Sequence, residues 1–213
     1  MTYLKSITLQ NFKSIFDLSH FDLNPGINIL IGKNGAGKSN FIDFFKVIQK
    51  YSWNTLNEYV IKMGGATTFL FQGGERSSDI NVKLELNNSI KNQTFKIKLI
   101  SIFNNIFMQF PEYILSKTQQ GQITPQDSEH RPSIEHNTQD ESFINDTIRS
   151  WRIYHFRNTS TFSPLRHEAS VYNNKEFLPD GSNLSAYLLT IKNNHNDIYQ
   201  RIRQLISYYD ARI

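Results

Sequence analysis

An α/β fold organised around a phosphate-binding loop is predicted for this 213-residue chain by three observations. Residues 32 to 39 read Gly-Lys-Asn-Gly-Ala-Gly-Lys-Ser, a complete G-x-x-x-x-G-K-S pattern. The short apolar run Ile27 to Ile31 precedes it, and a helical face of Phe41, Phe44, Phe45 and Ile48 follows it. Further along, strict alternation from Ile80 to Leu86, repeated at Phe95, Ile97 and Leu99, marks an antiparallel pair with one wet face.

Residues 3 to 10 and 16 to 23 read as the strands of a first hairpin. Ile7 and Leu9 alternate with polar neighbours on one strand, and Phe16 and Leu18 on the other; Phe21 and Leu23 continue one residue out of phase, which predicts a bulge near Ser19 and His20. Ile27-Asn28-Ile29-Leu30-Ile31, a short apolar β-branched run, reads as a buried strand. In the loop that follows, Gly32, Gly35 and Gly37 can take backbone angles closed to other residues, so successive N–H groups can curl around an anion. The helix beyond adds the partial positive charge of its N-terminus. Lys38 can then reach the β- and γ-phosphates of a nucleotide, with the Ser39 hydroxyl offered to magnesium.

From Lys117 to Ser142 only Ile123 and Ile134 are aliphatic, too few to offset the entropy of ordering, so a mobile loop or insertion is expected there. Trp151 to Phe156 reads as another strand. Asn183 to Lys192 and Asp197 to Tyr209 read as helices. The second has Asp197 as its N-cap and carries Ile198, Ile202, Leu205, Ile206 and Tyr209 on one face, expected to be core.

Composition narrows the setting. The chain has no cysteine, which removes disulfides and thiolate metal sites and suits a reducing cytoplasm. No run approaches the ~20 apolar residues of a membrane span, so no membrane partner is expected. Net charge is +4, from 23 basic and 19 acidic residues. That balance is compatible with DNA as a partner, although the basic residues are scattered rather than gathered into a stripe. His130 and His136 have no helix or strand frame that would make them a metal pair.

The stretch Leu4 to Lys50 resembles the N-terminus of the ABC-like ATPase heads of SMC, RecF and OLD-type proteins. Asn11-Phe12-Lys13-Ser14 matches their N-F-K/R-S element on the first hairpin. Asn34 and Asn40 match the asparagines of their G-x-N-G-x-G-K-S-N loop. More weakly, Gly64-Gly65-Ala66 with Phe69-Leu70-Phe71 and Gly73, Trp151 to Phe156, and Leu178 to Leu184 resemble elements of OLD/RecF-like AAA-family ATPases, including those of bacterial anti-phage defence.

The resemblance implies a P-loop NTPase of the ABC-type head. Its mixed sheet carries the P-loop helix, with an antiparallel β lobe over about 65–110, a polar insertion over about 117–142 and C-terminal helices, all within one domain spanning 1–213. It implies ATP and magnesium as cofactors. Lys13, Asn34, Gly35, Ala36, Gly37, Lys38, Ser39 and Asn40 would contact the nucleotide, with Lys38 catalytic. Ser39 would bind magnesium, joined by Asn158 in place of the glutamine that such heads carry after a strand. ATP-gated pairing of heads into a homodimer or higher oligomer follows from the same kinship, in DNA repair or anti-phage defence, with a nuclease as a further partner.

Hydrolysis in such heads also needs an apolar strand ending in Asp-Glu and a Ser-Gly signature from a second head. Neither is found, the nearest sequence being Tyr208-Tyr209-Asp210-Ala211. The 213 residues are therefore expected to be the N-terminal portion of a head, inactive alone. A GTPase would want Asn-Lys-x-Asp, and Asn174-Lys175-Glu176-Phe177 lacks the aspartate. A nucleotide kinase does not call for the N-F-K-S hairpin. The remaining alternative is a non-catalytic nucleotide-binding scaffold that assembles a complex with a nuclease.

Overall fold

The computed structural model describes residues 2–87, 92–116, 138–154, 156, 163–166 and 168–209. They divide into two compact units, Met1–Trp151 and Arg152–Ile213.

The first unit is built on a five-stranded sheet formed by β1 (Tyr3–Phe12), β2 (Ile15–Asp22), β3 (Asp79–Asn87), β4 (Asn92–Ile102) and β5 (Ile106–Ser116). Its spatial order is β2-β1-β3-β4-β5 and every pairing is antiparallel. Period-two alternation decides its faces. Ile80, Val82, Leu84 and Leu86 on β3, and Phe95, Ile97 and Leu99 on β4, are buried. On the other face Lys83 pairs with Glu85, Lys96 with Glu112 and Lys98 with Asp79.

The hairpin bulge falls where the phase of the sequence puts it. Ile7 pairs with Phe21 and Leu9 with Leu18, so Ser19 and His20 together face Thr8. His20 takes a left-handed φ of +51°, and its N–H donates to Thr8 Oγ1 at 3.3 Å.

Helix α1 (Lys38–Ser52) lies on the apolar face of the sheet, burying Phe41, Phe44, Val47 and Ile48. Phe12 of β1 joins it: its ring meets Phe44 edge-on at 6.1 Å and Phe69 at 6.4 Å. Helix α2 (Leu56–Lys62) adds Leu56 and Val60, and α3 (Thr138–Ser150) adds Ile144 and Ile148. Between α2 and β3, two short 3-10 turns at Ala66–Thr68 and Phe71–Gly74 return the chain to the hairpin, where Leu70 bridges to Phe12. The second unit contains α4 (Leu184–Asn194) and α5 (Asn196–Tyr209). Asn183 is fully buried beside α4. Its side-chain oxygen accepts from the Leu178 N–H, and its amide donates to the carbonyls of Asn173 and Glu176.

Several expectations need correction or relocation. The sheet is antiparallel among the described residues rather than mixed, because Ile27 to Ile31 is not one of its strands. That run is exposed instead, Ile27 and Ile31 at 90% and Ile29 at 76%. An apolar run becomes a strand only beside a neighbour that takes up its N–H and C=O groups, and none of the five strands lies alongside it.

Trp151 to Phe156 is likewise not a strand. Trp151 closes α3, packing on Phe45 at 5.4 Å while its carbonyl accepts from Gln49 Nε2 at 2.8 Å. In the second unit Tyr154 and Phe156 stack with Phe177. The face of α5 expected to be core has no buried residue: Leu205 is 55% exposed, and Ile198 and Ile206 are exposed too. Asp197 lies in the first turn of α5, which starts one residue earlier than expected. Residues 117–137, most of the polar segment and both of its histidines, lie outside the described residues, whereas Thr138–Ser150 belongs to α3.

Candidate functional site: a glycine loop at the start of α1

The loop takes its shape from two glycines. Gly35 and Gly37 have φ of +84° and +88°, the left-handed region that side chains with a Cβ rarely enter. Gly37 is the N-cap of α1 and no side chain caps it, so the N–H groups of the first turn are offered by the backbone itself. Lys38 opens the helix. Its Nζ donates to the carbonyls of Gly32 at 2.6 Å and Lys33 at 2.8 Å, lying across the loop and drawing its two ends together. The Ala36 N–H closes a tight turn onto the Lys33 carbonyl at 3.2 Å. Asn34, Gly35, Ala36 and Ser39 are all exposed.

The first hairpin is in contact with this loop. Asn40 Nδ2 donates to Ser14 Oγ at 2.7 Å, and a Cβ placed on Gly37 would come within 2.9 Å of the same oxygen. The turn of the hairpin is pinned from its other side. Lys13, at φ +49°, donates its backbone N–H to the Phe69 carbonyl at 2.9 Å. The Lys13 ammonium sits 5.4 Å and 5.8 Å from the ring centres of Phe69 and Phe12 and pairs with Asp43 Oδ2 at 2.8 Å. Asp43 also accepts from Lys46 at 3.1 Å. Partial burial pushes the Asp43 carboxyl up, but the two ammonium groups outweigh it and hold the group below its ordinary value.

Beside this turn opens a cavity of about 710 Å³, its wall running from Lys13, Ser14 and Asn40 to Thr67, Thr68 and Gln72. Gln72 holds a left-handed φ of +49° there. Lys13 and Asn40 thus share the wall of this cavity, and the hairpin meets the loop through Ser14. Asn158 lies outside the described residues.

Sequence reasoning gave no role to Asp43, Thr67, Thr68 or Gln72. For Asp43 a signal existed, since it is the sole acidic residue of α1 and falls four positions after Ser39. For the other three there was none, because only the return of the 3-10 turns to the hairpin brings them to the site.

The chemistry fits an anionic polyphosphate: left-handed glycines, open space where a Cβ of Gly35 would stand, an uncapped helix start and a lysine anchored across the loop. Among the described residues no three His, Cys, Asp or Glu side chains converge on a metal site, and no helix is long and apolar enough to cross a membrane.

The chain is 31% identical over 120 residues to the DNA replication and repair protein RecF of Clostridium botulinum, covering 52% of this chain and 33% of that protein. It is 49% identical over 41 residues to the chromosome partition protein Smc of Desulfitobacterium hafniense, 19% of this chain and 3% of that protein. It is also 39% identical over 56 residues to urease accessory protein 2 of Cryptococcus neoformans, 26% of this chain and 5% of that protein. The chain therefore spans a third or less of these relatives. The AAA ATPase domain family matches residues 2–212, nearly the whole sequence, and with its likeness to SMC and RecF ATPases the chain belongs to that family.

Proposed function

We propose that the chain binds Mg-ATP at Gly32 to Ser39 as the N-terminal part of an ABC-like ATPase head. Hydrolysis is completed by polypeptide outside these residues or by a partner head. The observation that carries this reading is the loop itself, two left-handed glycines leading into an uncapped helix with Lys38 bound across it. Backbone N–H groups from Asn34 to Ser39 cradle the phosphates, Lys38 neutralises charge on the β- and γ-phosphates, and the Ser39 hydroxyl holds magnesium. Bound magnesium would draw negative charge off the phosphate oxygens as a Lewis acid. Asn40 steadies the loop through Ser14, and Lys13 serves the nucleotide from the hairpin.

Ile27 to Ile31 supports the second half of the proposal. Four apolar residues among the five that lead directly into a phosphate loop, and left exposed, have the composition of an inner strand that takes neighbours from elsewhere. Kinship with RecF and the OLD-type resemblance are the support for the rest of the reading: a role in DNA repair or anti-phage defence, with head dimerisation gated by ATP and a nuclease as partner.

Isothermal titration with Mg-ATP tests the site. Lys38→Ala is expected to weaken binding by about 10-fold or more, the worth of a charge-assisted hydrogen bond. Equal binding by the variant and the parent chain overturns the reading. Phosphate release by the full-length protein separates a motor or switch from a scaffold, because the scaffold assembles without turnover.

A further inference from the structure

We infer that Asp43 is a positioning residue: it holds the Lys13 ammonium on the wall of the cavity beside the glycine loop, where Lys13 serves the phosphates of a bound nucleotide. This inference rests on the nucleotide-binding reading above and assigns a role to a residue which that reading leaves idle.

Lysine is a flexible side chain and loses much rotamer freedom when its ammonium is fixed. Here four contacts fix it. The backbone at Lys13 is held left-handed by its bond to the Phe69 carbonyl, the rings of Phe12 and Phe69 lie under the charge, and Asp43 Oδ2 accepts one ammonium hydrogen at 2.8 Å. An ammonium has three donors, so a phosphate oxygen can be served while Asp43 keeps its own bond. Lys13 lines the cavity together with Ser14 and Asn40; these two are hydrogen-bonded, and Ser14 Oγ stands 2.9 Å from where a Cβ of Gly37 would be.

Asp43 can hold a cation there without cancelling it. Lys46 bonds its other oxygen at 3.1 Å, so one carboxylate is shared by two ammonium groups and the cluster keeps a net positive charge toward an anion. The position on the helix suits the task. Asp43 lies one and a half turns into α1, and its side chain reaches back toward the hairpin turn rather than toward the loop.

A charge fixed before the ligand arrives costs no ordering on binding, and the loss of that advantage is what a substitution should reveal. Titration of Mg-ATP, Mg-ADP and adenosine into Asp43→Asn, Asp43→Glu, Lys13→Met and the Lys13→Met/Asp43→Asn pair is the test. Asp43→Asn is expected to weaken Mg-ATP and Mg-ADP by about 3- to 10-fold and to leave adenosine unchanged; in the Lys13→Met background it should add less than about 2-fold. Asp43→Glu, which keeps the charge, is expected to recover most of the affinity. A general packing defect would weaken adenosine as well and would multiply with Lys13→Met.

Nucleotide binding by Asp43→Asn equal to the parent chain overturns the inference, as do independent effects of the two residues. If the parent chain binds Mg-ATP and Lys38→Ala does not, such a result removes the role of Asp43 alone. If the parent chain itself shows no binding, the site reading falls and this inference with it.

Discussion

At the scale of single residues, backbone conformation does more here than side-chain chemistry. Gly65 has φ +95° and ψ 175°, a region essentially reserved for glycine, and a Cβ there would stand 2.9 Å from the Asn104 carbonyl oxygen. Gly65→Ala is therefore expected to destabilise the first unit by about 2–3 kcal/mol, read as a lower thermal midpoint. An unchanged midpoint would mean that the 3-10 turn after it relaxes freely. Gly35, with equal φ strain but open space around it, should tolerate alanine better, at about 1 kcal/mol. Within the motif, Gly35, Gly37 and Lys38 are legible because each answers a local demand, whereas Gly32 does not take the left-handed φ expected of it. Asp43 was not legible, because its meaning depends on Lys13, which is 30 positions away in the chain.

At the scale of elements, periodicity served well where both partners lie within the chain. The alternation of β3 and β4 and the out-of-phase Phe21 each became what the pattern requires, strands with one buried face and a bulge opposite Thr8. Ile27 to Ile31 carries an equally clear apolar signal and did not become a strand, because hydrogen-bonding neighbours complete a strand and composition does not supply them. The same holds for α5, whose apolar stripe fits a core but has nothing buried on it. The double substitution Ile27→Lys and Ile31→Lys is accordingly expected to change the stability of this chain by less than about 0.5 kcal/mol and to raise its solubility. A large drop in the urea midpoint would show that the run is buried in solution.

For the whole molecule, the ionised face of the sheet and the loop-side cluster set the response to acid. Lys83 is the main cause holding Glu85 below its ordinary value. Burial pushes Asp79 and Asp43 up, yet hydrogen bonds from Ser77, Asn81 and Lys98 for the first, and from Lys13 and Lys46 for the second, outweigh it and leave both depressed. A carboxyl whose folded value lies below its unfolded one contributes stability that is complete above the unfolded value, about 4, and is lost as pH falls through the folded value. The thermal midpoint is thus expected to be flat from pH 7 to about 5 and to fall below about 4, less steeply in Asp79→Asn. A midpoint that rises on acidification would contradict these ion pairs.

The amino-acid order by itself determined the glycine loop, the helix that carries it, the hairpin with its bulge and the alternating strands, because each is written in contacts between near neighbours or in a period of two or 3.6. Only the tertiary structure decided that the sheet is antiparallel among the described residues, that the run before the loop stands exposed, that Asp43 pairs with Lys13, and that the turns at Thr67 and Gln72 meet Lys13 at one cavity. These depend on which distant segments lie side by side. Pairing over tens of residues leaves no local trace for a sequence pattern to carry.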